Sequence, residues 1–492
     1  MKHKKITAFA LAALLALLPL AACKSDDSDA VSSATQQANA AGTSVTPPAA
    51  ADAGAAAASA LDPTQQFTDT DLDVDWQAQN GVAVTFGSAA AQRDSDAVHI
   101  NGSTVTITEE GYYVLSGAAE NGQVIVEAEK TAKVHLVLNG LNLACASSAP
   151  LYVRQADKVI VTLAEGTENA LCTRGEFIAI DDNNIDAVIF SKDDLTLNGS
   201  GALAVSTQYG HGVVSKDDLV LAGGSYTVSC TGHGLCGKDS VRIATGSFTL
   251  TTGKDGIHSE NADDTSLGYV YIADGTFTVV AGYDGIDGAA AVRIDGGTFS
   301  LVTGGGSQNA STDAAGNQNP GWGQWGAKTT TETDTASAKG IKADGDVMIT
   351  AGSLTIDSSD DGVHANGNVR IDGGALQLSS GDDGVHADAQ TYIGGGTLDI
   401  AKSYEGIEGK TVELAGGAVT LVASDDGVNA AGGADSSSMG GRPGENGFAS
   451  SGDSYIRISG GTLRVNASGD GLDANGALYV TGGGSQNAST DA

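Results

Sequence analysis

A glycine-led unit recurs along this chain with a fixed step, and that period limits the folds available to it more than any other feature. Gly212, Gly234 and Gly256 are spaced by 22 residues, as are Gly340, Gly362, Gly384 and Gly406, and Gly427 follows one residue early. Longer steps on to Gly285, Gly340 and Gly471 absorb insertions at 261–267, 304–338 and 432–452. A period of this size marks a solenoid, in which each unit buries its apolar face against the next. Within 362–383, three segments alternate apolar with polar residues: Val363-His364-Ala365, Val369-Arg370-Ile371 and Leu376-Gln377-Leu378. Gly, Asn or Asp bounds each of them, as expected of short strands joined by turns. Three strands and three turns per unit predict an all-β chain, a right-handed parallel β-helix. Its interior is a stack such as Val363 over Val385 over Ile407 over Val428. A leucine-rich repeat would need its Leu/Asn consensus, and the calcium-binding nonapeptide repeat has period nine. Neither fits. The 69 Gly, 7 Pro and 5% aromatic residues suit many turns around an aliphatic core.

Stacking in register turns every outward position into a column. One column reads His258, Asp287, Lys342, His364, His386, Glu408, Asn429, Asp473, and the turn before it reads Asp255, Asp284, Lys339, Asp361, Asp383, Glu405, Asp426, Asp470. Carboxylates about 5 Å apart repel by roughly 3 kcal/mol at an effective dielectric near 20. Raised pKa values, neighbouring cations or a bound hard metal could offset this. Lys254 and Lys339 supply cations in places, whereas Asp360, Asp361, Asp382, Asp383, Asp425 and Asp426 come doubled with no adjacent lysine. Oxygen-rich turns suit Ca²⁺, which accepts six to eight oxygens in loose geometry. The expected Ca²⁺ ligands are Asp255, Asp284, Asp360, Asp361, Asp382, Asp383, Glu405, Asp425, Asp426 and Asp470. The plainer reading is a set of Asp-Gly turns facing water. The outward histidines read as polar ladder positions before they read as a transition-metal stripe.

The N-terminus carries an address. Lys2, Lys4 and Lys5 precede an apolar run from Ala8 to Leu20, too short to span a membrane. The run ends in Leu20-Ala21-Ala22-Cys23, which resembles the bacterial lipoprotein box; that implies acylation at Cys23, a lipid-anchored protein on the cell envelope or surface, and a signal peptide over 1–22. Residues 23–62 are rich in Ala and Ser and read as a disordered tether. Less regular coils are expected over 63–200 and regular ones over 201–492. A net charge of −35 argues against nucleic acid. Cys230 with Cys236 and Cys145 with Cys172 are possible disulfides, and four buried thiols are the alternative. The run Val302 to Ala314 recurs as Val480 to Ala492, where the chain stops partway through a coil. A truncated or misjoined end is the expectation.

Val137-Leu138-Asn139-Gly140, Leu163-Ala164-Glu165-Gly166-Thr167-Glu168-Asn169, Ile189-Phe190-Ser191-Lys192-Asp193-Asp194-Leu195 and Ser424-Asp425-Asp426-Gly427-Val428-Asn429 belong to an ordered set of motifs running from Val105 to Gly482. As a set they resemble the bacterial carbohydrate-binding β-helix lipoproteins, whose fold is similar to that of calcium-dependent pectate lyases. The resemblance implies calcium-bound coils and adhesion to polysaccharide such as cellulose or acidic pectin. Sugar stacking needs exposed aromatic faces; Trp322 and Trp325, in the long insertion, and Tyr283 and Tyr404, beside the acidic column, are the candidates. A non-enzymatic, monomeric binding protein is expected. A calcium-dependent lyase remains open, although Lys254, Lys339 and Lys342 sit among carboxylates that raise their pKa and spoil them as free bases. A purely structural stalk is the third reading.

Overall fold

The computed structural model describes residues 56–87, 91–93, 95–310, 338–430 and 453–489, all within one compact unit, Ala49–Ala492. Cys23, Trp322 and Trp325 lie outside them, as do 311–337 and 431–452. The chain is a parallel β-helix. The short strand of each coil joins a 15-stranded sheet, and the two longer strands of each coil join a 25-stranded one. The pairings are parallel apart from two N-terminal contacts, Val84 with Arg93 and Val98 with Ile107.

The register follows the glycine period. Ile341 pairs with Val363, Val363 with Val385, Val385 with Ile407, and Ile407 with Val428. All of these are buried, so the aliphatic stack is the core. A second interior column carries rings: Tyr226, Phe248, Phe277 and Phe299 lie face over face, with centroids 5.2, 4.8 and 4.5 Å apart. Each buried ring contributes about 1.5–3 kcal/mol through removal from water.

The register glycines are required by contact between coils. A Cβ on Gly362 would lie 2.6 Å from the Gly384 carbonyl oxygen, and Gly256 stands in the same relation to Gly285. The Gly362 N–H donates to Asp383 O at 2.8 Å, and the Gly384 N–H to Glu405 O at 3.0 Å. Turn thus stacks on turn with no room for a side chain between them.

The end of the segment read as a tether is packed. Helix Ala56–Ala60 places Ala58 against Ala291 and Met348 on the outer face of the large sheet, where small side chains allow close approach. Arg293 Nη1 donates to Leu61 O at 2.8 Å. Helix Asp69–Leu72 is capped by Thr68 and buries Asp71, whose carboxylate meets Lys158 Nζ at 2.6 Å and accepts from Thr196 Oγ1 at 2.6 Å. Neither suggested disulfide forms: Cys145, Cys172, Cys230 and Cys236 are free, and all but Cys172 are buried.

Candidate functional site

Coil stacking aligns the acidic turns along one edge, and a carboxylate in one coil is tied to the next. Its Oδ1 accepts the backbone N–H of the same position in the next coil: Asp284 N to Asp255 at 3.0 Å, Lys339 N to Asp284 at 2.7 Å, Asp383 N to Asp361 at 3.0 Å, Glu405 N to Asp383 at 3.2 Å and Asp470 N to Asp426 at 2.7 Å. Asp255, Asp284, Asp361 and Asp383 are no more than 5% exposed. They therefore staple coil to coil, and do not face water as free Asp-Gly turns would.

The second oxygen meets a cation more often than the sequence suggested. A histidine three residues on reaches back to its own turn: His364 Nδ1 lies 2.8 Å from Asp361 Oδ2, and His386 Nδ1 lies 3.1 Å from Asp383 Oδ2 and 2.8 Å from Glu408 Oε2. Lys339 Nζ lies 2.6 Å from Asp360 and 3.6 Å from Asp361, so the doubled acids there do have a lysine, supplied by the preceding coil. Lys342 Nζ approaches Asp287 and Asp344, both at 3.4 Å, and Asp284 at 4.0 Å. These histidines and lysines were legible as a column. Their pairing was not, because it depends on side chains crossing from one column to the next.

The protonation states follow from this packing. Burial, with Asp287 and Asp255 nearby, pushes Asp284 up to about 7. Burial also holds Asp383 well above the carboxylate range, while His386, despite its burial, is pushed up to about 12 by its bonds to Asp383 and Glu408. Asp361 goes the other way: burial opposes ionisation, but Lys339 and His364 hold it well below the usual range. Burial likewise fails to discharge Lys339, whose pKa Asp361 and Asp360 raise.

Three groups bring metal-capable atoms together among the described residues: His233, Asp255 and His258; Asp383, His386 and Glu408; Asp360, Asp361 and Asp382. The proposed ligands are thus divided among separate groups. Glu405 holds the Asn429 amide at 2.9 and 3.0 Å. Burial, with Asp425, Asp473 and Asp470 nearby, pushes Asp426 up to about 6, against the bond it accepts from the Asp470 N–H. No Lys, Arg or His among the described residues pairs with these four. Tyr283 is exposed, but Tyr404 is half-buried, and its hydroxyl bonds Asp425, which raises its pKa. Four coil steps separate the two rings, about 19 Å at 4.8 Å per step.

Residues 101–384, more than half of the chain, match the family model described as "Carbohydrate-binding domain-containing protein". The chain belongs to that family. Within this carbohydrate-binding domain family, a protein of Acetivibrio thermocellus with the same description is 38% identical over 136 residues, covering 27% of this chain and 47% of that protein. The match thus spans under half the length of that relative. A solved structure described as a polysaccharide lyase-like protein from C. thermocellum, gadolinium derivative, is 35% identical; the alignment covers 46% of this chain and 92% of that one, with a TM-score of 0.45.

Proposed function

We propose that this protein is a lipid-anchored, monomeric surface module that holds polysaccharide along its acidic edge with the help of bound Ca²⁺, without turning it over. Family membership supports the glycan, and the observation that carries the metal is the group Asp360, Asp361 and Asp382, whose ligand atoms lie within 4.8 Å of one another. It offers only carboxylate oxygens, as a hard cation requires, and calcium would enter it by displacing Lys339. Calcium would neutralise the edge and could bridge it to an acidic glycan. A lyase needs a neutral base. Lys339 and Lys342 are ion-paired and held charged, which favours binding over elimination.

The test is retention of the full chain on insoluble cellulose and on pectate gel, with and without a calcium chelator. Retention on either one that chelation weakens is the expected result; no retention on any polysaccharide rejects the reading. Growing absorbance of unsaturated product on polygalacturonate would establish a lyase instead. Trp322→Ala with Trp325→Ala should weaken retention if those rings stack on sugar. Cys23→Ala should move the protein from the membrane fraction to the soluble one.

A further inference from the structure

The acidic edge changes character at one place, and the change suggests a second kind of metal. Where most coils carry an acid in the turn, one carries His233; the next carries Asp255 and, three residues on, His258. The two imidazoles stack at 4.4 Å and 12°. Both present Nδ1 to Asp255 Oδ2, from 2.8 Å for His233 and 3.3 Å for His258. All three ligand atoms lie within 4.8 Å of one another. The rings are 13% and 18% exposed, while Asp255 is buried.

Three details separate this group from an ordinary ion pair. First, His233 Nδ1 is buried and, despite its 2.8 Å separation from the carboxylate, lacks the alignment of a hydrogen bond. The two ring planes are nearly parallel, so one ring must turn before both Nδ1 lone pairs can meet a single ion. Secondly, Asp255 is already oriented: its Oδ1 accepts the Asp284 N–H at 3.0 Å, which leaves Oδ2 as a fixed monodentate ligand. Thirdly, the neighbours that could compete are committed. His211 Nδ1 accepts the His233 backbone N–H at 2.9 Å, and the Cys236 thiol donates to Glu260 at 3.3 Å and is held neutral by burial. The other two groups differ. In one, the single imidazole nitrogen, His386 Nδ1, is held by both Asp383 and Glu408, and the other holds the Lys339 ammonium.

We propose that His233, Asp255 and His258 form a binding site for a borderline divalent transition metal such as zinc, distinct from the oxygen-only groups and independent of the calcium reading. Two imidazoles and one carboxylate make an N₂O set that leaves a coordination position open, and imidazole donors favour such ions over calcium. On binding, His258 gives up to solvent the proton it shares with Asp287 at 3.0 Å, and Asp287 retains Lys342 at 3.4 Å.

The experiment is titration of the chelator-stripped full chain with Zn²⁺ and, separately, with Ca²⁺, followed calorimetrically for wild type and for His233→Gln with His258→Gln. The double variant should lose one zinc equivalent, or bind it at least tenfold more weakly, with its calcium isotherm unchanged. Equal zinc isotherms would overturn the proposal. Should the double variant fold poorly, X-ray absorption of the wild type with one equivalent of zinc decides: nitrogen and oxygen ligands at about 2.0–2.1 Å with imidazole scattering are expected. A shell free of imidazole rejects the site.

Discussion

Asp361 and Asp383 survive burial on the acidic edge with two partners of different kinds, a backbone N–H above and a cation beside. His386 is the clearest case, a ring lying between Asp383 and Glu408. Removing it by His386→Ala leaves two buried acids without their cation and should cost about 3–5 kcal/mol, measured by chemical denaturation at neutral pH. Asp71 tests the same logic away from this edge. Burial opposes its ionisation, yet Lys158, Thr196 and Thr68 bring its pKa down to about 2 from 3.8. A depressed pKa gives stability that is present above the unfolded value and lost as the pH falls through the folded one. Asp71→Asn should therefore be destabilised by about 1–2 kcal/mol at pH 6. The gap to wild type should close between about pH 4 and pH 2, read from melting temperatures across that range.

At the level of strands and turns, the contact between coils decides which residues are tolerated. The turn at Gly362 passes so close to the Gly384 carbonyl that any side chain must push two coils apart. Gly362→Ala should cost about 1–3 kcal/mol by overpacking, even though alanine has the better intrinsic propensity for regular structure. Denaturation midpoints of the two proteins check this. Short strands such as Val363–Ala365 have little area of their own to bury. They persist because the coils on either side complete their hydrogen bonds, so strain at one turn is felt along the sheet.

For the whole molecule, a solenoid whose coils contact only their neighbours should accept the loss of one complete coil. Excising 362–383 joins Asp361 to Gly384 and leaves every alternation intact. The shortened protein should fold, keep its β-sheet circular dichroism and melt cooperatively. Deleting Thr355 alone, inside the strand Ser353–Ser358, instead shifts the side chains that follow it to the opposite face, and this variant should melt at a markedly lower temperature. Comparing the two melts separates a true 22-residue coil from a merely repetitive sequence.

The period alone determined the fold, because a unit of three alternating segments can bury its apolar residues only against copies of itself; the stack from Val363 to Val428 could be written from the sequence with its register. The acidic column was equally legible, since a column needs only the period. What filled it was not. His364 and His386 reach back to turns three residues earlier, and Lys339 reaches forward a coil, through side-chain directions that no spacing records. The docking of 56–62 was hidden for the same reason, its partners Ala291, Met348 and Arg293 being more than 200 residues away in the chain. The repeated run makes the point most directly. Val302 and Thr303 close a strand that a 3-10 turn, Ser307–Asn309, follows, whereas the same residues from Val480 end one strand and supply another, Gly484–Ser489. Ser307 N–H is held by Asp357 in the first copy, and Gly484–Ser489 pairs with Thr462–Ala467 in the second. Identical local preferences yield to whichever neighbour offers the hydrogen bonds, and only the tertiary structure supplies the neighbour.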